Sequence, residues 1–199
     1  DFTFYGGLYR MVRLVIVPEA HFSMDYYGGN GIKVTPVVTL AKNGEEAASA
    51  VVTVEIWAEG SEEYVTVTVA EETKREAVTE GYAKAEFHLE AVHLWDGVDD
   101  SYLYTAKAEL ESGDAVETRF GCRHFCIDPQ QGFFLNGRSY PLRGVSRHQD
   151  RKGAGNALTL AMHQEDMDIV REIGANTLRL AHYQHAQEFY ELCDENGII

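Results

Sequence analysis

Two histidines stand at the ends of two short apolar stretches: His148 in LRGVSRHQD, residues 142–150, and His182 in NTLRLAHYQH, residues 176–185. With Arg143, Arg147, Asp150, Arg179, Tyr183 and His185 they make up the part of the chain whose residue types suggest a site. Imidazoles can hydrogen-bond hydroxyls, move protons or bind metal near neutral pH. An arginine inside a strand is costly unless it finds partners, so Arg179 points to a carboxylate or to a polar cavity. A metal set of His148, His182 and His185 fits no specific ligand spacing. No glycine-rich phosphate or dinucleotide loop occurs, and Ser146 lies in no nucleophile elbow. Asp194 and Glu195, at the end of a helical pattern, read as a solvated face. Singly, each histidine reads first as a satisfied core or loop residue. Together they become a site only if the chain brings them to one place.

The elements that would do so are short. Each stretch reads as a strand that delivers its histidine at the C-terminal end, and each is followed by a helical pattern. Met167, Val170 and Ile173, with Ile169 beside them, recur at helical spacing up to Gly174, which suits a C-cap. Phe189, Leu192 and Cys193 mark the next helix, closed by Gly197. Strand, helix, strand, helix opens a parallel α/β architecture, and in such folds the chemistry sits where strands end. A third strand is expected to begin at the final residues.

Upstream the period is two. Ile32, Val34, Val38 and Leu40 share a face, with Pro36 indicating an edge or bulge. Asn43-Gly44 is the strongest hairpin signal, and Asn136-Gly137 is a second. Val52/Val54/Ile56, Val65/Val67/Val69, Ala83/Ala85/Phe87/Leu89, Tyr102/Tyr104/Ala106/Ala108/Leu110 and Val116/Thr118/Phe120 follow. Such strands between Gly, Asn and Asp turns predict an immunoglobulin-like antiparallel β-sandwich. Residues from Phe2 to Val17 read as one long strand broken at Gly6-Gly7, stopped by Pro18.

Seventeen basic and thirty-two acidic residues leave a net charge of −15. A polyanion or an anionic membrane surface would be repelled, so neither nucleic acid nor membrane is expected as a partner. The three cysteines form no disulfide scaffold: Cys122 and Cys126 in extended chain would be about 13 Å apart. Free, mostly buried thiols are expected, compatible with a reducing cytoplasm but not requiring one. The chain opens in strand-like sequence without methionine and stops at Gly-Ile-Ile. A piece of a longer protein is therefore expected.

Five landmarks carry a resemblance to glycoside hydrolase family 2, and within it to the β-galactosidases. They are YGGLYR (5–10), HLWDGVDDSYLYT (93–105), FGCRHF (120–125), LNGRSYPLRGVSRHQD (135–150) and REIGANTLRLAHYQH (171–185), the last followed by ELCDENGII. The resemblance implies the last strand of a sugar-binding jelly roll over 1–17, an immunoglobulin-like sandwich over 18–127, and the first two βα units of a (β/α)₈ barrel over 128–199. It further implies that His148, Arg179 and His182 line the sugar pocket, the histidines touching hydroxyls. The family commonly has proline where this chain has Gln184, so His185 is left out of the pocket. Retaining hydrolysis uses two carboxylates about 5–5.5 Å apart. The resemblance places both glutamates on later strands, so no catalytic residue is expected in this chain, and the chain alone is expected to be inactive. The implied substrate of the parent is a β-galactoside, with β-glucuronidase or β-mannosidase activity as alternatives within the family. No cofactor is expected in this chain, and use of a divalent cation by the parent is left open. Self-association is expected through apolar surface on the two βα units. The rival class is a non-catalytic sandwich that binds carbohydrate or protein.

Overall fold

The computed structural model describes residues 6–41, 47–61 and 64–199. The Asn43-Gly44 hairpin signal lies outside the described residues. Two compact units are present. One comprises residues 15–95 and 102–125, and the other the described residues up to Leu14, residues 96–101 and residues 126–199.

The first unit is the sandwich. Its strands are β1 (His21–Phe22), β2 (Ile32–Thr39), β3 (Ser49–Glu59), β4 (Tyr64–Val69), β5 (Glu72–Ala77), β6 (Tyr82–Leu89), β7 (Tyr104–Leu110) and β8 (Ala115–Phe120). One sheet pairs β1, β2 and β6 with β3; the other runs β5-β4-β7-β8. All the registered pairs within them are antiparallel. The alternation read from the sequence becomes burial: Val52, Val54, Ile56, Val65, Val67, Val69, Phe87, Ala106 and Ala108 are fully enclosed. Side chains on a pleat point alternately to the two faces, so the intervening Thr and Glu meet solvent. Pro36, opposite Val52 in β2, sits on an edge strand, where its missing N–H costs no ladder bond.

The strand expected over residues 2–17 is not formed in its described part: residues 6–17 carry no strand pairing. Leu8, Met11, Val12, Leu14 and Ile16 are exposed. An extended segment becomes a strand only by exchanging backbone hydrogen bonds with a neighbour, and no described strand runs beside this one.

The second unit begins with a small sheet of β9 (Phe125–Asp128), β10 (Gly132–Leu135) and β11 (Arg138–Ser139). Asn136 and Gly137 join β10 to β11 with φ of 50° and 80°. Two left-handed residues are what a tight hairpin turn between right-twisted strands requires. Then come β12 (Gly144–Arg147), α1 (Leu160–Glu172), β13 (Thr177–Leu180) and α2 (Gln187–Glu195). β12 and β13 are parallel, with Ser146 opposite Arg179 and Arg147 opposite Leu180. Thr159 caps α1 by accepting the Met162 N–H, and Gly174 (φ 71°) ends it with the paired 6→1 and 5→2 bonds of a Schellman turn, Ala175 to Val170 and Gly174 to Arg171. Met167, Val170, Ala175, Phe189, Leu192 and Ile198 form the core between helices and strands. Beyond α2, Ile199 accepts from Leu178 N–H and donates to the Asn176 carbonyl, but the third strand expected at the final residues is not formed. The chain thus folds as an immunoglobulin-like sandwich followed by two βα units of a barrel.

Candidate functional site

Parallel pairing in this register brings the two histidines together. The rings of His148 and His182 lie 5.3 Å apart, edge to face at 85°. Both are exposed, at the C-terminal ends of adjacent strands. Ser146 and Arg179 are register partners on that same face, by the alternation that also places His148 there. Arg179 is exposed and makes no ion pair among the described residues. The Ala181–His182 peptide bond is cis. Tyr183 is half-buried, with its ring 6.5 Å from that of His148.

The other face of β12 carries chemistry of a different kind. Arg147 is 8% exposed, directed away from His148 into the helix layer. Its Nε and Nη2 donate to Asp166 Oδ2 on α1 at 2.9 and 2.6 Å. Nη2 also meets His163 Nδ1 at 2.9 Å, and Nη1 meets His185 Nδ1 at 3.0 Å. The guanidinium carbon lies 3.8 Å from the centre of the Phe189 ring on α2. Arg151 takes the other oxygen of Asp166 at 3.0 Å and Glu165 at 2.6 Å. Because an arginine only donates, both imidazoles must accept at Nδ1 and are held neutral, with the proton on Nε2. Burial, then the Arg147 charge, pushes both imidazoles below the ordinary histidine range. For His185 the Ala181 carbonyl opposes this only in part. His185 Nε2 is buried without a partner that meets hydrogen-bond geometry.

Of the eight residues singled out by type, then, the structure brings His148, His182 and Tyr183 together on the mouth side, with Arg179 on the same face. Arg147 and His185 are part of the buried layer behind, so His185 does not converge with His148 and His182. Arg143 serves the backbone: its N–H binds Asn176 Oδ1 at 2.7 Å and its carbonyl accepts from Asn176 N–H. Asp150 is exposed. Gln149, His163, Asp166 and Arg151 escaped sequence reasoning. The signal for His163 and Asp166 was their spacing of three on the helix face that also carries Met167 and Val170, where a charged residue has no reason to sit without a partner.

Cavities of about 620 Å³ on the sandwich, beside Tyr102 and His88, and about 290 Å³ near Arg171 and Asn196, at the C-terminal ends of the helices, touch neither histidine. No group of three or more His, Cys, Asp or Glu able to hold a metal occurs among the described residues. No helix among them is long and apolar enough to cross a membrane.

Comparison with known proteins bears on the family and the fold. Residues 20–123 match the family described as glycosyl hydrolases family 2, and residues 128–199 match its TIM barrel domain. A β-glucuronidase of Bacteroides fragilis is 35% identical over the whole chain, and a β-galactosidase of Thermoanaerobacterium thermosulfurigenes is 29% identical. The chain covers 30% and 28% of these two relatives. Among solved structures, an FMN-binding β-glucuronidase from Facaelibacterium prausnitzii L2-6 is 40% identical with a TM-score of 0.88, matching all of this chain and 31% of its own.

Proposed function

Because the chain belongs to glycoside hydrolase family 2, we propose that it supplies part of the sugar-pocket wall of a retaining β-glycosidase, His148 and His182 holding sugar hydroxyls and Arg179 facing a carboxylate. The observation that carries this reading is the facing pair of exposed imidazoles at the ends of two adjacent parallel strands. That end of a parallel barrel is where substrates bind. The reaction itself needs an acid/base and a nucleophile, two carboxylates about 5–5.5 Å apart across the glycosidic bond. Asp166 cannot serve as either, since two arginines occupy both of its oxygens on the far side of β12. The resemblance puts both catalytic glutamates on later strands. In this reading the residues of this chain bind and orient the sugar. Its interactions with the sugar accelerate the reaction to the extent that they strengthen in the transition state.

For the sugar, a β-glucuronide is favoured over the β-galactoside read from the sequence. Its support is the name β-glucuronidase on relatives at 35% and 40% identity over the whole chain, against β-galactosidases at 29% and 31% over all or nearly all of it and 36% over 55% of it. The test is the hydrolysis of aryl β-glucuronide, β-galactoside and β-mannoside by the longer protein that contains this chain. A higher kcat/KM on the glucuronide is expected. A higher value on the galactoside or mannoside would reassign the sugar, and turnover of none of the three would refute the glycosidase reading.

A further inference from the structure

The two side chains flanking His148 in sequence are both buried and both reach the segment that carries His182. Arg147 and His185 meet at 3.0 Å, while the Arg147 carbonyl accepts the Ala181 N–H at 2.9 Å. Gln149 is 2% exposed; its Oε1 accepts the Ala186 N–H at 2.6 Å and its own N–H donates to Tyr183 Oη at 3.1 Å. Residues 147–149 and 181–186 are thus joined at four points, and His148 and His182 are among the side chains exposed from the seam, with Gln184. Arg147 is in turn anchored to α1 through Asp166 and His163, and stacks on Phe189 of α2. An aliphatic residue at 147 would fill the helix layer equally well, but it would not tie the loop after β13 to α1. A planar guanidinium with five fixed donors reaches Asp166, His163 and His185 at once. A polar group this deeply buried persists only where its bonds are made.

We propose that Arg147 and Gln149 are positioning residues: they lock the Ala181–Ala186 segment against the end of β12 and so fix His182 beside His148. Neither touches the mouth. The proposal concerns how the pair is held, and its consequence for sugar binding rests on the function proposed above. The energetic logic is that of a preorganised site, in which a misplacement of about 1 Å costs roughly 10²-fold in rate.

The test uses the full 199-residue chain, without sugar, by NMR with labelled histidines. In the unaltered chain a ring-to-ring NOE between His148 and His182 is expected, His163 and His185 are expected as Nε2–H tautomers, and the Ala186 amide is expected to exchange slowly. Gln149→Met removes the acceptor and is expected to abolish the NOE, while Gln149→Glu keeps an oxygen for the Ala186 N–H and is expected to retain it. An unchanged NOE in Gln149→Met, or equal loss in both variants, overturns the proposal. Should Gln149→Met lose the fold of this unit, the unaltered chain still decides: an Nδ1–H tautomer at His185 or fast exchange at Ala186 overturns it, and the reverse supports it. Because no sugar is present, failure here leaves the glycosidase reading standing. Failure of that reading would in turn show as an absence of turnover in the longer protein with this NOE intact.

Discussion

Removing the carboxylate of Asp166 should uncouple the second unit from its main electrostatic anchor. Arg147 is 8% exposed and Asp166 Oδ2 receives two of its N–H groups, so Asp166→Ala leaves a buried guanidinium with only two imidazole nitrogens to meet it. Breaking a buried ion pair from one side costs about 3–5 kcal/mol. The remaining imidazole contacts and the partial exposure of Asp166 place this case near about 3 kcal/mol. With a urea dependence of about 1–3 kcal/mol per molar, the unfolding midpoint should fall by about 1–3 M. The chain provides its own pair of probes. Both tryptophans, Trp57 and Trp95, are in the sandwich unit, and both α-helices are in the other. The loss should therefore appear in far-ultraviolet circular dichroism and leave the tryptophan fluorescence transition in place. A control is Glu111→Ala, which breaks a pair with Arg75 whose side chains are 51% and 56% exposed, expected to cost under about 1 kcal/mol. A change under about 1 kcal/mol for Asp166→Ala, equal to that surface control, would refute the assignment of Asp166 as the anchor.

Acid should act on the same layer. His163 and His185 have folded-state values below their unfolded ones, so the stability they contribute is complete above about pH 6.5 and is lost as pH falls from there toward the folded values. The groups acting on His163 are Arg147, Asp166, Glu188 and Arg151, and on His185 they are Arg147, Ala181, His163 and Arg10. The unfolding free energy followed by circular dichroism should drop on acidification by up to about 1.4 kcal/mol per pH unit for each imidazole, and His163→Gln should flatten the dependence; a profile flat from about pH 7 to about 5.5 would contradict it. Burial pushes the Cys122 thiol up to about 11 and the Cys193 thiol up to about 12, the latter helped by Asp194, whereas Cys126 is exposed. A disulfide reagent at mildly alkaline pH should label Cys126 fast and the other two only on unfolding; three equal rates would refute this. Val145, Leu160, Ile169 and Ile173 are 46–59% exposed in the barrel unit. Self-association that rises with concentration is expected in light scattering and should weaken in Ile169→Lys; a monomer at every concentration would contradict it.

The sandwich was legible because alternation maps directly onto burial once both faces of a pleat are assigned, from Val52 through Leu110. The two βα units were legible from the period of Met167, Val170, Phe189 and Leu192 and from the caps Gly174 and Gly197. The approach of His148 to His182 followed from parallel strand order alone. The function of Arg147 was not legible, because a residue at a strand end can point to either face and only the register with Leu180 decides. Nor was Gln149: its partner, the Ala186 N–H, lies 37 residues away, beyond any local pattern. The failed strand over residues 6–17 has the same origin, since pairing is a property of a neighbour and not of the segment's own composition.

The claim on which the account turns is that the paired imidazoles belong to the substrate pocket. Its most direct test is kcat/KM of the longer protein on its preferred aryl β-glycoside with His182→Ala and with His148→Ala, each checked for an unshifted melting temperature. Loss of one hydroxyl contact that strengthens in the transition state is expected to lower kcat/KM by about 10²-fold or more in each variant, carried mainly by kcat. Activity unchanged in both, with the fold intact, would contradict the account.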